Sequence, residues 1–305
     1  MACENPLRLI NPRYKKMSVA ERLRYSRSCF DMDVPPDYYI DVPCGCCQSC
    51  EKRRMFDFRV RLMYEHAAHP FSVFITLTFK EESLQLFKDN PNKAVCRFLD
   101  RVRKYFGKGV RHWICAEYGS LKGRIHYHGI LFDVPKDLDT KLLEKLWKYG
   151  YVWLGYANPD TVKYITKYVT KSASCGKKPP RIISSKGIGE SYISPESVRF
   201  HISDENTLRP YIHVGGYKFP LPRYYYNKIF TDDLKVEMVL DRFYNPPEKF
   251  YCNGREYNNE FEFIQARRAL FQRNLRLGLS KDYRIEKFKR DKQENGKHQN
   301  SEGLY

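Results

Sequence analysis

Hydrophobic and polar positions along the chain change their period several times, and each change predicts an element. "FSVFITLTF" (71–79) concentrates β-branched and aromatic residues and reads as a strand. After the turn signal "DNPN", apolar Val95, Phe98, Leu99, Val102 and Tyr105 recur at helical spacing. "VRHWICAEYG" and "RIHYHGILF" are two more strands around "SLKG", where Gly119 and Gly123 permit tight turning, so they read as a hairpin folded about Leu121. "DLDTKLLEKLWKYG" is a second amphipathic helix, opened by an Asp and stopped at Gly150. "YVWLGY" is a fourth strand. "NPDTVKYITKYVTK" is a third helix, with Asn158 as N-cap and Pro159 at the first helical position. Upstream, "EKRRMFDFRVRLMYEHAAH" reads as a basic amphipathic helix. The order β-α-β-β-α-β-α predicts an α+β domain over 51–175, an antiparallel central sheet with helices packed on one face.

The flanks are less regular. Residues 1–50 form a polar, basic N-terminal segment with short elements and a cysteine cluster. Residues 176–305 form a basic, aromatic C-terminal region, expected to pack on the core and contact DNA. It holds a glycine turn ("ISSKGIGESYI") and a hairpin ("YIHVGGYKFPLPRYYYNKIF"), and is mostly helical from Asp232 onward. No repeat recurs at solenoid periods.

Charge narrows the partners. Lys and Arg total 54 against 36 Asp and Glu, a formal net charge of +18 on 305 residues, which suits a polyanion: nucleic acid or an anionic membrane. No run approaches the ~18 apolar residues of a membrane span, and the start lacks a signal-peptide apolar core, so a membrane is not an expected partner. Ten cysteines in a chain read as unexported suggest reduced thiols and metal binding over disulfides. The absence of G-x-x-x-x-G-K-[ST] excludes a P-loop ATPase.

Candidate chemistry gathers on the hairpin. His126 and His128 are two apart on one strand and share a face, roughly ~7 Å apart at Cα. Folding about Leu121 sets Glu117 nearly opposite Ile125 and His126. Two imidazoles and a carboxylate on one face suit Mn²⁺, Mg²⁺ or another divalent ion; two solvent-facing histidines are the plain alternative. In "YITKYVTK", Tyr164 and Tyr168 share a helical face at i and i+4, with Lys167 and Lys171 at the same spacing. Amphipathic packing explains that pattern. So does phosphodiester transesterification, in which a phenol with pKa ~10 becomes a nucleophile where positive charge favours its phenolate.

Taken in order, these motifs resemble a known family. The cluster "PCGCCQSC", the strand "FITLTF", the hairpin "EYGSLKGRIHYHGILF", the helix "YITKYVTK", then "GIGESY" and "LPRYYYNKIF" resemble the replication initiators of small single-stranded DNA phages of the microvirus (gokushovirus-like) type. These are HUH endonucleases, named for a His-hydrophobic-His metal motif; here the intervening residue is the part-polar Tyr127. The resemblance covers roughly 40–230. It implies a ferredoxin/RRM-like palm, a Mg²⁺ or Mn²⁺ ion on Glu117, His126 and His128, and attack by Tyr164 or Tyr168 on origin DNA. A 5′-phosphotyrosine and a free 3′-OH result, followed by religation. It further implies single-stranded and replicative-form origin DNA as partner, host helicase and DNA polymerase as co-workers, and the host bacterial cytoplasm as location. The rival readings are a transposase or relaxase of the same superfamily and a non-catalytic zinc-dependent nucleic-acid-binding protein.

The cysteines are a separate question. Cys44, Cys47 and Cys50, with Cys46 as an extra donor, would hold a structural Zn²⁺ or else leave free thiols capping the next helix. No partner pair is evident, though Cys29 or Cys3 could reach back. Arg223, Tyr224, Tyr225 and Lys228 in "LPRYYYNK", and the helix "FIQARRALFQRNLRLGL", are the candidates for phosphate neutralisation and base stacking. His66, His69, His112, His201 and His213 read as ordinary polar positions.

Overall fold

The computed structural model of the chain describes residues 3–11, 14, 38–119, 123–171, 182–203 and 208–280. The chain divides into two compact units, one of residues 54–229 and one of residues 1–53 with 230–305. This division differs from the three-part reading: residues 176–229 belong with the sheet, and the two ends of the chain belong together.

Two short strands, β1 (Leu7–Ile10) and β2 (Tyr39–Val42), pair antiparallel near the start. Helix α1 (Gln48–Ala68) follows. Five strands then form an antiparallel sheet: β3 (Ser72–Phe79), β4 (Arg111–Tyr118), β5 (Ile125–Phe132), β6 (Gly150–Tyr156) and β7 (Ile182–Ser184). Their spatial order is β6-β3-β5-β4-β7. Helices α2 (Glu81–Leu86), α3 (Asn92–Phe106), α4 (Thr140–Trp147), α5 (Pro159–Thr166) and α6 (Tyr168–Lys171) intervene.

The α+β class and the antiparallel sheet are as expected, but helices cover both faces. On one face Ile75, Leu77, Ile114, Tyr127 and Leu131 pack against α3 and α4 through Val95, Phe98, Leu143 and Trp147. On the other, Phe74, Trp113, Cys115 and Ile130 pack against Leu62 of α1, Val162 and Ile165 of α5, and Tyr168 and Val169 of α6. Strands apolar on both sides require cover on both sides. Tyr105, at helical spacing with the α3 stripe, is nevertheless exposed, while Val95, Phe98, Leu99 and Val102 are buried.

Local chemistry sets the helix ends. The Asp139 side chain accepts from the Leu142 N–H and starts α4; the helix stops at left-handed Lys148, short of Gly150. Asn158 caps α5 through the Thr161 N–H, with Pro159 following as expected. The single helix read through "YITKYVTK" breaks at Lys167. The Thr166 hydroxyl donates to the carbonyls of Val162 and Lys163, and the Lys167 N–H bonds the Tyr164 carbonyl three residues back. Such back-bonding by a threonine bends a helix.

Further along come α7 (Pro195–His201), the hairpin β8 (Tyr211–Val214) and β9 (Tyr217–Pro220), and α8 (Arg223–Ile229). The predicted hairpin is therefore confined to Tyr211–Pro220, and "RYYYNKI" is helical, Pro222 standing just before it. Helices α9 (Asp232–Tyr244) and α10 (Glu260–Arg276) flank a two-stranded ladder, β10 (Phe250–Cys252) with β11 (Arg255–Tyr257). None of the described helices is long and apolar enough to cross a membrane.

Candidate active site

The strand register sorts one sheet face into rungs. Glu117 lies opposite His126, His126 opposite Thr78, and Thr78 opposite Tyr151. One rung along, Cys115, His128, Thr76 and Trp153 follow one another in the same way. The hairpin thus has Glu117 directly across from His126, though its turn residues 120–122, with the fold point Leu121, lie outside the described residues.

His128 is buried and held at both ring nitrogens. Nε2 is 2.8 Å from Glu117 Oε2, and Nδ1 is 3.0 Å from Thr76 Oγ1. The Phe74 and Tyr168 rings lie parallel to its imidazole, with centroids 6.1 and 4.4 Å away. Half-buried His126 occupies the next rung toward the strand start. Two imidazoles and a carboxylate on adjoining rungs are a donor set that suits a divalent ion. Binding one means that the His128–Glu117 bond gives way, because a ligating nitrogen offers a lone pair and not a proton.

The tyrosines meet at the same corner. The Tyr168 hydroxyl donates to the Tyr164 hydroxyl, and the two rings stand edge to face at 5.2 Å. Their environments differ sharply: Tyr164 is 48% exposed and Tyr168 only 4%. Burial raises the Tyr168 phenol well above its ordinary pKa, reinforced by the hydrogen bond to Tyr164 and the Glu117 charge. Lys167 is exposed at the bend between the two rings. Lys171 ends α6, and its side chain lies outside the description.

The cysteine cluster differs from the expected ligand set. Sγ–Sγ distances are 3.6 Å for Cys3–Cys44, 3.8 Å for Cys3–Cys47 and 4.0 Å for Cys44–Cys50. The four sulfurs lie within 4.8 Å of one another. Cys3, not Cys46, completes the set; Cys29 lies outside the described residues. Cys3 is placed by its neighbour Glu4, a buried carboxylate that accepts from Ser49 N and Oγ, Asn274 Nδ2 and Ser280 Oγ. Backbone N–H groups of Cys44, Cys47 and Glu4 point at the sulfurs of Cys3, Cys44 and Cys47. The hydrogen bond from Cys3 pushes the Cys44 thiol well below its ordinary pKa, toward the thiolate that binds metal. These four thiols can bind a metal such as zinc. Among the described residues they are the only such gathering of three or more Cys, His, Asp or Glu; Glu117, His126 and His128 are not drawn together to that spacing.

The DNA-contact candidates fare unevenly. Tyr225 is fully buried, its hydroxyl donating to the Gly189 carbonyl, so it cannot stack on a base. Tyr224 is half-buried beneath the Arg61 guanidinium, 4.2 Å from the ring centroid. Arg223 and Lys228 are exposed on α8. His112 and His201 are buried, bonded to Ser185 and to Tyr192 with the Arg209 carbonyl. Sequence reading missed Thr76, Phe74 and Trp153; the alternation of "FITLTF" and "YVWLGY" against the histidine strand is the signal that could have found them.

A tyrosine pair beside a carboxylate and two imidazoles on a small antiparallel sheet falls within a defined class. Residues 72–173, the span holding all of these, match the family model of replication-associated protein ORF2. The chain is a relative of the microvirus replication-associated proteins. It is 25% identical over 312 residues to replication-associated protein ORF2 of Spiroplasma virus 4, with 90% of each chain covered. It is similar to replication-associated protein ORF4 of Chlamydia phage 1, 24% identical over 280 residues, which cover 78% of this chain and 67% of that one. Replication-associated protein A of Enterobacteria phage phiX174 is 28% identical over 133 residues, 35% of this chain and 25% of the relative. No solved structure matches the chain.

Proposed function

We propose that the protein initiates replication of a small single-stranded DNA phage inside the bacterial host, cutting one origin strand by tyrosine transesterification and later rejoining it. The observation that carries this reading is the junction of Tyr164, Tyr168 and His128: two bonded phenols, one exposed, stacked on an imidazole that Glu117 and Thr76 orient. Tyr164 Oη attacks the scissile phosphate, a Tyr–O–P bond forms and the P–O3′ bond breaks. The departing oxygen takes a proton and becomes a 3′-OH, while the 5′ phosphate stays on the protein. One phosphodiester replaces another, so attack by a 3′-OH reverses the step without ATP.

Tyr168, whose burial keeps its proton, donates to the Tyr164 oxygen and favours charge there. Lys167 offers positive charge to the phosphate from the bend. Glu117, His126 and His128 are the residues that would hold Mg²⁺ or Mn²⁺, which supplies Lewis-acid polarisation of the phosphate when bound. Host polymerase extends the 3′-OH, and a host helicase opens the duplex.

We also assign a structural Zn²⁺ to Cys3, Cys44, Cys47 and Cys50. A tetrahedron of sulfurs about 2.3 Å from zinc has edges of about 3.8 Å, and the observed separations are 3.6 to 4.0 Å.

The test is incubation with circular single-stranded DNA of the cognate origin and Mn²⁺, resolved on a denaturing gel. A protein–DNA adduct is expected from the native chain and none from the double variant Tyr164→Phe, Tyr168→Phe. An adduct that persists in the double variant overturns the assignment.

A further inference from the structure

Beside Tyr164 the sheet face opens into a cleft of about 530 Å³ lined by Phe74, Thr76, Trp153, Tyr156, Asn158 and Tyr164, among others. Its composition is unusual for a surface: Trp153 is 58% exposed, Tyr156 87% and Tyr164 48%. Trp153 projects from edge strand β6 on the rung of Thr76 and His128. Its indole leans along the strand over Gly155, where an added Cβ would come 2.5 Å from the ring; the glycine leaves that space to the indole. Phe74 packs edge-on against both Trp153 and Tyr164, at 5.4 and 6.2 Å, and so ties the cleft wall to the tyrosine. One rung away Tyr151, 62% exposed, carries the Lys80 ammonium 5.7 Å from its ring centroid. Asn158 spends its side-chain oxygen on the α5 N-terminus, which leaves its amide N–H groups as the donors it can offer.

A large exposed indole held at one end against a nucleophile is costly as mere surface and well suited to a flat π-system. The net charge of +18 selects a polyanion among carriers of such rings. We propose that this cleft holds an unpaired base of the DNA strand whose phosphate Tyr164 attacks, with Trp153 as its stacking platform. The inference rests on the strand-transfer reading for the identity of the strand, but not for its test.

Trp113 and Trp147 are fully buried, so a fluorescence change on adding DNA reports Trp153. The native chain is titrated with single-stranded oligo-dT in the absence of divalent ion, with anisotropy of a labelled oligonucleotide as an independent measure of binding. Saturation should quench tryptophan emission, matched duplex should quench far less, and Trp153→Ala should bind oligo-dT roughly 5- to 150-fold more weakly, Trp153→Phe less so. Emission unchanged at saturation, or native affinity in Trp153→Ala, overturns the proposal. The adduct gel stands apart. Quenching without adduct keeps the base site and removes strand transfer; adduct without quenching does the reverse.

Discussion

Two tyrosines of identical chemistry become unequal once each has its surroundings. Tyr164 faces solvent and receives a hydrogen bond; Tyr168 gives that bond and is sealed between His128 and the α5–α6 bend. Attack on the first phosphate therefore belongs to Tyr164. We expect Tyr164→Phe to slow adduct formation on single-stranded origin DNA on the order of 10³-fold or more. Tyr168→Phe should cut once at a rate within about tenfold of native and fail to release closed circles over repeated rounds. Single-turnover adduct rates beside a circle-release assay measure both. Equal first-cut defects in the two variants would show that the phenols are interchangeable, as their helical spacing alone suggests.

At the level of the strand, β5 owes its position to a residue with no side chain. A Cβ on Gly129, next to His128, would lie 2.6 Å from the Trp113 carbonyl oxygen and 2.7 Å from Ile114 Cγ1. Gly129→Ala should push β4 and β5 apart, cost about 1–3 kcal/mol in urea unfolding, and reduce cutting by more than that destabilisation accounts for, since β4 carries Glu117. On β4 itself, His112 is buried and its pKa is pulled down to about 4, by burial first and then by Arg103 and Arg111. Below pH 6.5 the unfolded chain takes up a proton that folded His112 refuses until about pH 4. Stability from this group is thus complete above pH 6.5 and declines by about 3 kcal/mol as pH falls to about 4. His112→Asn should flatten that decline in urea midpoints measured across the interval.

For the whole molecule, charge and the cysteine cluster set the testable properties. Affinity for single strands should fall with salt at a log–log slope of about −0.7 per phosphate neutralised, and should survive loss of both tyrosines, because it arises from net charge and not from the nucleophiles. Filter binding at a series of salt concentrations measures it. The purified chain should carry about one zinc. Cys3→Ser should lose it at a cost on the order of several kcal/mol, whereas Cys46→Ser should retain it, with metal content and thermal melting as readouts. Zinc kept by Cys3→Ser and lost by Cys46→Ser would return the ligand set to "CGCCQSC" alone.

What the sequence determined by itself is what depends on near neighbours. Period-2 and period-3.6 patterns located the sheet strands β3 to β6 and the helices between them. Asp139 and Asn158 marked helix starts through their own side chains, and counting from the turn brought Glu117 opposite His126. The paired tyrosines and the histidines were legible because catalysis places unusual residues where apolar ones would pack. The tertiary structure decided the rest, since the same residue serves core or surface according to what lands on it. α1 and α5 cover the second sheet face that was expected to be open. Tyr225 lies in the core and Trp153 outside it, although both sit in aromatic, helix- or strand-forming runs. Cys3 enters the cluster only because buried Glu4 binds groups from α1 and from the segment around Ser280. The bend at Thr166 turns one helix into two, and that separates an exposed nucleophile from a buried partner. Burial and long-range pairing are properties of the assembled chain, so no local pattern carries them.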